Sequence, residues 1–297
     1  MRESKTAFIA IVGRPNVGKS SILNKLLGQK IAIVSDKPQT TRTRIMGVLT
    51  IEETQLVFTD TPGFHRPKTK LGEKMVKAVS DSISGVDLCL FVIESEGELR
   101  ETELELIEKF KQQKMPVVLA INKIDTLEDK TVLMKRIMDM TQLYDFEAIV
   151  PVSAVKNDGL DALTDELIKL AQPSEHFFPE DTLTDQPERV IVSEIVREKM
   201  LRLLDKEIPH GVAVAVEKMR ERSDKDLIDI ETTIYCERES HKGIIIGKKG
   251  ATLKRISTYA RQDMEKFFGC QINLQCWVKV KDDWRNREGL IHNFGLD

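Results

Sequence analysis

The sequence predicts two domains: an α/β domain with a doubly wound, mainly parallel sheet, and a smaller α+β domain after it. Over residues 1–171, short apolar runs alternate with segments of helical periodicity, which is typical of a parallel sheet covered by helices. A glycine-rich loop follows the first apolar run, as in many phosphate-binding folds. Residues 172–187 contain three prolines and break this alternation, and the order of elements changes beyond them.

The first domain is predicted over residues 1–171. Two of its apolar segments are separated by only three residues and predict a hairpin, which adds one antiparallel strand to the sheet. The predicted strands cover residues 8–12, 45–51, 55–59, 87–93, 117–121 and 148–152. The predicted helices cover residues 22–27, 71–84, 101–113, 132–143 and 160–171. Sheets of this kind bind ligands beyond the carboxyl ends of their strands, so functional residues are expected there.

Residues 172–187 are the predicted linker, because Pro173, Pro179 and Pro187 interrupt the periodic patterns. The second domain, residues 188–297, has the predicted order α-β-β-α-α-β. Its apolar residues recur at helical spacing in the helices and alternate along the strands. The strands are predicted over residues 212–219, 228–236 and 272–280.

Composition and charge limit the classes of function. A chain of 297 residues usually forms more than one core, and no segment reaches the roughly 20 apolar residues of a membrane-spanning helix. The net charge of −3 is uneven, since residues 189–297 carry +3 and the rest −6, which favours a polyanionic partner for the second domain. No apolar run precedes the first strand, and the four cysteines lack the paired spacing of a zinc site. We therefore expect reduced thiols, no signal peptide and a cytoplasmic location.

A phosphate-binding loop is predicted directly after the first strand. Its two glycines allow the chain to turn back, so that backbone N–H groups and the start of the next helix face a phosphate group. Lys19 can reach the β- and γ-phosphate oxygens, and the Ser20 hydroxyl can ligate Mg²⁺. The predicted phosphate site comprises Gly13, Arg14, Pro15, Asn16, Val17, Gly18, Lys19, Ser20 and Ser21.

Two further segments are predicted to respond to the γ-phosphate. The first is Asp60, Thr61, Pro62 and Gly63. In it, Asp60 would hold Mg²⁺ through a water molecule, and the N–H of Gly63 would contact the γ-phosphate. The second lies in the long connection over residues 29–44, where a hydroxyl is expected to complete the magnesium shell, with Thr41 favoured over Thr40. This switch segment is predicted to comprise Gln39, Thr40, Thr41, Arg42 and Thr43.

The base is predicted to be guanine. A carboxylate at Asp125 can accept from guanine N1–H and the 2-amino group, whereas adenine has an unprotonated N1 and no 2-amino group. Asn122 would brace the loop, and the aliphatic stem of Lys123 would lie over the ring. After the next strand, the N–H of Ala154 would meet guanine O6. The predicted base site comprises Asn122, Lys123, Asp125, Ser153, Ala154 and Val155.

Hydrolysis is expected to be slow. Many GTPases place a glutamine after the glycine of the Asp-x-x-Gly motif to orient water, but this chain has Phe64 there. In GTPases with this phosphate loop, the asparagine can help to hold K⁺ against the phosphates, so we hypothesise that Asn16 does so. The alternative is that Asn16 only stabilises the loop. The predicted catalytic residues are Lys19, Asn16, Gly63 and Thr41.

The second domain carries a Gly-x-x-Gly tetrad between two predicted helices. Such a tetrad lets a nucleic-acid backbone approach closely and is typical of KH domains, and its place in the element order fits the type-2 topology. No acidic residue lies between His241 and Arg261, which favours RNA binding over a KH scaffold used for protein contact. The predicted RNA contacts are Lys242, Ile244, Ile245, Ile246, Gly247, Lys248, Lys249, Gly250, Lys254 and Arg255.

From end to end, these motifs resemble the Era family of bacterial GTPases. The second hydroxyl of the phosphate loop, often Thr in that family, is Ser21 here, which is a conservative difference. Besides the phosphate loop, the resemblance is carried by Gln39 to Arg42, Phe178 to Asp181, Glu194 to Lys199 and Leu274 to Val280.

The resemblance implies a monomeric, GTP- and Mg²⁺-dependent protein that is cytoplasmic and partly peripheral at the inner face of the cell membrane. Its KH domain would bind the 3′ end of 16S ribosomal RNA, and the protein would act in 30S subunit maturation. Two alternatives stay open at this point. One is a membrane-associated signalling GTPase whose C-terminal domain is a protein adaptor, and the other is an RNA chaperone with vestigial GTPase activity.

Overall fold

The computed structural model describes residues 3–37, 40–63, 69–83, 85–205 and 208–296. These residues form two compact units. Unit 1 contains the described residues within 1–32, 41–66 and 75–185, and unit 2 contains those within 33–40, 67–74 and 186–297. The domain boundaries at residues 171 and 187 stay predictions.

Unit 1 is built on a mixed, mostly parallel sheet, which confirms the predicted α/β class. Its strands are β1 (Lys5–Val12), β2 (Ile45–Ile51), β3 (Thr54–Asp60), β4 (Leu88–Glu94), β5 (Val117–Asn122), β6 (Ala148–Pro151) and β7 (Gln172–Pro173). The helices are α1 (Lys19–Leu26), α2 (Lys70–Ile83, which belongs to this unit from residue 75 onwards), α3 (Glu101–Gln113), α4 (Lys130–Thr141) and α5 (Leu160–Lys169). The strand order is β2-β3-β1-β4-β5-β6, with β2 antiparallel to β3 as predicted.

The central strands are buried on both faces. All residues of β5 are buried, and so are all but the last of β4, because these apolar runs lie between helices on the two sides of the sheet. Phe91 of β4 and Phe110 of α3 pack edge to face, with ring centroids 5.5 Å apart. Burial of each such side chain stabilises the fold by about 1.5–3 kcal/mol. The rigid sheet therefore fixes where the loops after β1, β3, β5 and β6 begin.

The predicted linker segment is closely bound to unit 1 up to residue 185. Its first residues form β7, a second antiparallel pairing that the sequence does not predict, against the start of β1. The fully buried amide of Gln55 accepts from the N–H groups of Phe177 and Phe178 at 2.9 and 3.0 Å and donates to the Phe178 carbonyl at 2.9 Å. The rings of Phe8 and Phe177 meet edge to face at 5.0 Å. Residues 172–185 thus act as part of this unit.

Unit 2 confirms the predicted order α-β-β-α-α-β. The elements are α6 (Glu188–Leu203), β8 (Ala213–Glu221), β9 (Leu227–Cys236), α7 (Glu239–Ile246), α8 (Ala251–Phe268) and β10 (Gln271–Val280), followed by the unpredicted α9 (Glu288–Asn293). The sheet order is β10-β9-β8, with β10 parallel and β8 antiparallel to β9. Apolar faces of α6, α7 and α8 cover one side of this sheet and form its core.

Three consecutive charged residues of α6 are buried, which the sequence does not predict. The exposed fractions of Arg197, Glu198 and Lys199 are 2%, 0% and 5%. Buried charges are costly unless they are paired. The Lys199 ammonium lies 2.8 Å from a Glu198 carboxylate oxygen and also forms an ion pair with Asp263 of α8. The ion pair between Lys199 and Asp263 joins α6 to α8, the helix that follows the Gly-x-x-Gly tetrad.

Two of these buried charges, Glu198 and Arg197, also bind the backbone at Val34 and Thr40 of unit 2. The N–H of Val34 donates to Glu198 at 3.0 Å, and the Val34 carbonyl accepts from Arg202 at 3.0 Å. The Thr40 carbonyl accepts from the Arg197 guanidinium. Because backbone groups are the partners, these contacts position the main chain at Val34 and Thr40 and do not depend on the side chains there.

Within the described residues, no helix combines the length and the apolar character that crossing a membrane requires.

Candidate nucleotide and nucleic-acid sites

The phosphate loop occupies residues 13–18, between the end of β1 and the start of α1. Gly18 has φ of 103°, and a Cβ atom there would lie 2.1 Å from Asn122 Nδ2, so only glycine fits. Lys19 is the first residue of α1. Its ammonium donates to the carbonyl oxygens of Gly13 and Arg14 at 3.1 and 3.0 Å. The lysine is thereby folded across the loop, where an anion bound by the loop would meet it.

Electrostatics couple Lys19 to Asp60, the last residue of β3. Burial lowers the pKa of Lys19 to about 8, and the Asp60 carboxylate opposes this shift. Burial raises the pKa of Asp60 above its usual value, opposed first by Lys19 and then by hydrogen bonds from Ser20 and Thr41. At neutral pH the ammonium is still mostly charged. The loop therefore offers a desolvated cation, which interacts strongly with phosphate.

The three residues predicted to ligate Mg²⁺ are brought together. The Ser20 hydroxyl donates to Asp60 Oδ2 at 2.5 Å, and Thr41 Oγ1 lies 3.0 Å from Ser20 Oγ and 3.4 Å from Asp60 Oδ2. The other carboxylate oxygen, Asp60 Oδ1, is buried and has no hydrogen-bond partner. Oxygen donors of this kind suit Mg²⁺. A buried, unpaired carboxylate oxygen next to two hydroxyl groups thus fits the predicted metal.

The residues predicted to form the switch segments differ in what they contact. The Thr40 hydroxyl donates to the Lys37 carbonyl at 2.6 Å, so Thr41, and not Thr40, reaches Asp60. Gly63 lies directly against the phosphate loop, because a Cβ atom there would be 2.6 Å from the backbone nitrogen of Pro15. The Thr61 hydroxyl donates to the Ile11 carbonyl at 2.8 Å and anchors the segment. Gln39 and Phe64 lie outside the described residues.

The predicted base site lies at the ends of β5 and β6. The Ser153 hydroxyl donates to Asp125 Oδ1 at 2.5 Å and so orients the carboxylate. The Asn122 amide donates to the Val17 carbonyl at 2.8 Å and accepts from the Ala154 N–H at 3.1 Å. Asn122 therefore links the phosphate loop to the base site. The N–H predicted to meet guanine O6 contacts Asn122 in this structure.

The Gly-x-x-Gly tetrad forms a tight turn between α7 and α8. Gly247 has φ of 72°, and a Cβ atom there would lie 2.2 Å from Thr252 Oγ1. Gly250 also has a positive φ, of 78°. The side chains of Lys248 and Lys249 are exposed. The turn thus presents two lysines and a backbone without side-chain bulk at its corners, as phosphate contact requires.

Beside the tetrad lies a groove of about 370 Å³ between α8 and β10. The structure corrects one predicted RNA contact: Ile245 is fully buried in the core, so its side chain cannot reach RNA. Ile244 is 51% exposed and Ile246 is half-buried. The groove is lined by Gly250 and Lys254 and by six residues that are not among the predicted RNA contacts: Leu253, Ser257, Thr258, Arg261, Leu274 and Cys276. The recurrence of the α8 residues at intervals of three and four was the signal for them.

Together, the phosphate loop, the hydroxyl–carboxylate cluster and the base site define a P-loop GTPase, here followed by a KH domain of the second type. Residues 8–123 match the family described as 50S ribosome-binding GTPase, and residues 207–285 match the KH domain family.

Relatives are similar over the whole chain. The GTPase Era of Clostridioides difficile (strain 630) is 51% identical, with 99% of each chain covered. That of Ruminiclostridium cellulolyticum is 50% identical, with 98% of this chain and 97% of the relative covered. The chain therefore belongs to the Era family of GTPases.

Two solved structures of the family are similar to this chain over almost its whole length. One is a variant of Aquifex aeolicus Era bound to GDP·AlF4⁻, with a TM-score of 0.94 and 39% identity, covering 98% of this chain and 99% of that one. The other is Era in complex with MgGDPNP and nucleotides 1506–1542 of 16S ribosomal RNA, with a TM-score of 0.92, 40% identity and 99% of each chain covered. The enzyme class, the GTP and Mg²⁺ ligands and the family's RNA partner agree with the sequence predictions.

Proposed function

We propose that this protein hydrolyses GTP and uses the nucleotide state to control its grip on the 3′ end of 16S ribosomal RNA during maturation of the small ribosomal subunit. The observation that carries the proposal is the contact of Thr41 with Ser20 and Asp60, because it joins the switch segment to the metal and phosphate site. The Era complex with 16S ribosomal RNA supports the choice of RNA.

The proposed roles of individual residues follow from their geometry. Lys19 would bind the β- and γ-phosphate oxygens, and Ser20, Thr41 and Asp60 would hold Mg²⁺. When bound, Mg²⁺ would neutralise phosphate charge as it develops during transfer. Asp125 would accept from guanine, with Ser153 fixing the orientation of its carboxylate. The N–H of Gly63, next to the phosphate loop, would donate to the γ-phosphate of GTP and lose this partner in GDP.

The proposed gate is the segment that precedes Thr41. With GTP bound, Thr41 would be held at the metal site, and the preceding residues would keep their contacts with α6. Arg197 and Glu198 bind the backbone at Thr40 and Val34, and Lys199 continues to Asp263 on α8. Loss of the γ-phosphate would release Thr41 and loosen these buried ion pairs. Such an order–disorder change is a common way for GTPases to transmit their nucleotide state.

The test is RNA affinity in the two nucleotide states. We expect the full-length protein to bind a single-stranded RNA copy of the 16S 3′ end about tenfold more tightly with a non-hydrolysable GTP analogue than with GDP, as is typical of allosteric coupling. Fluorescence anisotropy at fixed salt measures both constants, and a scrambled RNA of equal length is the control. Equal affinity in the two states contradicts the gate, and the absence of RNA binding in both favours the protein-adaptor alternative.

Potassium dependence is a separate part of the proposal. Asn16 has φ of 66°, in the left-handed region, whereas the adjacent Pro15 and Val17 do not have a positive φ. If its side chain holds K⁺ at the phosphates, GTP hydrolysis should be faster in KCl than in NaCl at the same ionic strength, and Asn16→Ala should remove the difference. Phosphate release measured in both salts decides this. Equal rates for the unaltered protein would leave Asn16 with a role in loop structure alone.

The proposal includes a cytoplasmic location, which an association with ribosomal RNA supports. We also propose that the protein is a monomer and that part of it contacts the inner face of the cell membrane peripherally. Both properties rest on the family resemblance.

A further inference from the structure

A single carboxylate lies between the phosphate loop and the predicted base site. Glu94 is the last residue of β4. One of its carboxylate oxygens forms an ion pair with the Arg14 guanidinium of the phosphate loop, and the other forms one with the Lys123 ammonium. The exposed fraction of the Glu94 side chain is 23%, and that of Arg14 is 16%. One acidic side chain therefore connects the two segments that a guanine nucleotide has to span.

A second carboxylate fixes Arg14 from the other side. Glu103 of α3 is 2% exposed, and one of its oxygens lies 3.3 Å from Arg14 Nε. This is an ion-pair distance, although the Nε–H does not point at the oxygen as a hydrogen bond requires. Glu103 also accepts from the N–H of Arg100 at 2.9 Å, at the start of α3. Arg14 is thus held in one position by β4 and α3 together.

The backbone next to Glu94 is bound to the base site as well. The N–H of Ser95 donates to the Asn122 carbonyl at 2.9 Å, and the Ser95 hydroxyl donates to the Lys123 carbonyl at 3.1 Å. Lys123 has φ of 68°, which is unusual for a residue with a side chain. The backbone of Lys123 is therefore fixed from β4, and its side chain is directed by the neighbouring Glu94.

We propose that Glu94 is a positioning residue for nucleotide binding. Its ion pair with Lys123 holds the aliphatic stem of that lysine where the guanine ring must lie. Its ion pair with Arg14 keeps the phosphate loop at the distance from the base site that a guanine nucleotide spans. Charge-assisted hydrogen bonds of this kind are about twice as strong as neutral ones and fix geometry as well as energy. The inference rests on the proposed roles of Lys123 and the phosphate loop. Because neither ion pair involves the γ-phosphate, Glu94 should affect GDP and GTP alike.

The experiment is the Glu94→Gln variant of the full-length protein, which keeps the shape of the side chain and removes its charge. We expect the dissociation constants of GDP and GTP to rise by about tenfold and by the same factor, mainly through faster dissociation. Stopped-flow fluorescence with labelled GDP and GTP measures the rates. The KM for GTP should rise while kcat stays unchanged. The matched control is Glu98→Gln, which changes an exposed acid in the loop after β4 and should leave nucleotide binding as in the unaltered protein.

Combining Glu94→Gln with substitutions of its two partners distinguishes a positioning role of Glu94 from a merely structural one. If Glu94 acts through its two partners, Glu94→Gln should weaken binding by less than about twofold when Arg14→Met and Lys123→Met are already present. Full additivity of the effects would overturn the proposal. So would unchanged GDP dissociation from Glu94→Gln, or an effect on kcat alone.

Glu94→Asp provides a second variant, since it keeps the charge but is too short to reach both partners, and it should give a smaller loss of the same kind. Equal binding by Glu94→Asp, Glu94→Gln and the unaltered protein would also overturn the proposal. A failure of the unaltered protein to bind guanine nucleotides would instead overturn the proposed function on which the inference rests.

Discussion

Replacing Asp125 with asparagine is expected to change the nucleotide preference from guanine to xanthine. The Asp125 carboxylate accepts in our proposal from N1–H and the 2-amino group, and Ser153 holds it at 2.5 Å. An asparagine amide would present its own N–H groups to the N–H groups of guanine, so that two donors would face each other. In xanthine the 2-amino group is replaced by a 2-oxo group, which can accept a hydrogen bond from the amide. A binding site built around such hydrogen bonds strongly rejects a ligand that cannot form them, so the affinity for GTP should fall by a factor of about 10² or more. Competition between GTP and XTP in equilibrium dialysis measures the change.

The control for this substitution is the same change four residues further along. Asp129 is exposed and caps α4 by accepting from the N–H of Thr131 at 2.8 Å. Asparagine caps helices about as well, so Asp129→Asn should leave both affinities unchanged. Unaltered GTP affinity in Asp125→Asn would remove the guanine assignment.

Combining Gly247→Asp with Lys248→Glu should abolish binding of single-stranded RNA. A side chain at Gly247 meets the Thr252 hydroxyl at 2.2 Å from the new Cβ and occupies a backbone conformation that L-residues rarely adopt. The two substitutions also replace one positive charge by two negative ones at the point where a phosphate would lie. We expect the RNA affinity to fall by about 10² or more at physiological salt. Nucleotide affinity should stay the same, because the guanine and phosphate residues are untouched.

Two further variants distinguish loss of the RNA contact from loss of the fold. Lys248→Glu with Lys249→Glu leaves both glycines in place and should also weaken RNA binding strongly, with less effect on folding. Lys266→Glu reverses an exposed charge near the end of α8 and should change RNA affinity little. Circular dichroism melting compares the folded state of all three. RNA binding that survives both double substitutions would exclude the tetrad as the RNA contact.

Much of this architecture could be predicted from the sequence because it depends on local signals. Apolar runs mark the strands, and the phosphate-loop glycines are required by backbone geometry at those positions, as the clash at Gly18 illustrates. The residues that approach Asp60 could be predicted because each belongs to a motif of known chemistry. The Gly-x-x-Gly turn was found for the same reason.

What the sequence did not predict depends on partners distant along the chain. Burial of Arg197, Glu198 and Lys199 contradicts the usual exposure of charged residues, and partners distant along the chain, the backbone at Val34 and Thr40 and the carboxylate of Asp263, help to explain it. Glu94 is an ordinary acid at a strand end until Arg14 and Lys123 are seen on either side of it. Ile245 is predicted to contact RNA together with Ile244 and Ile246, but a helix turns by about 100° per residue, which directs the Ile245 side chain into the core.

The attachment of residues 172–185 to unit 1 has a practical consequence for anyone who wishes to express the catalytic half alone. In a fragment that stops at Ala171, the buried Gln55 amide would lose its three hydrogen bonds to the main chain of Phe177 and Phe178, and the Phe8 ring would lose its contact with Phe177. Exposed apolar surface beside unsatisfied polar groups invites precipitation. Truncation after Asp185 retains residues 172–185 and their contacts, so that longer fragment is the sensible starting point for crystallisation or nucleotide titrations.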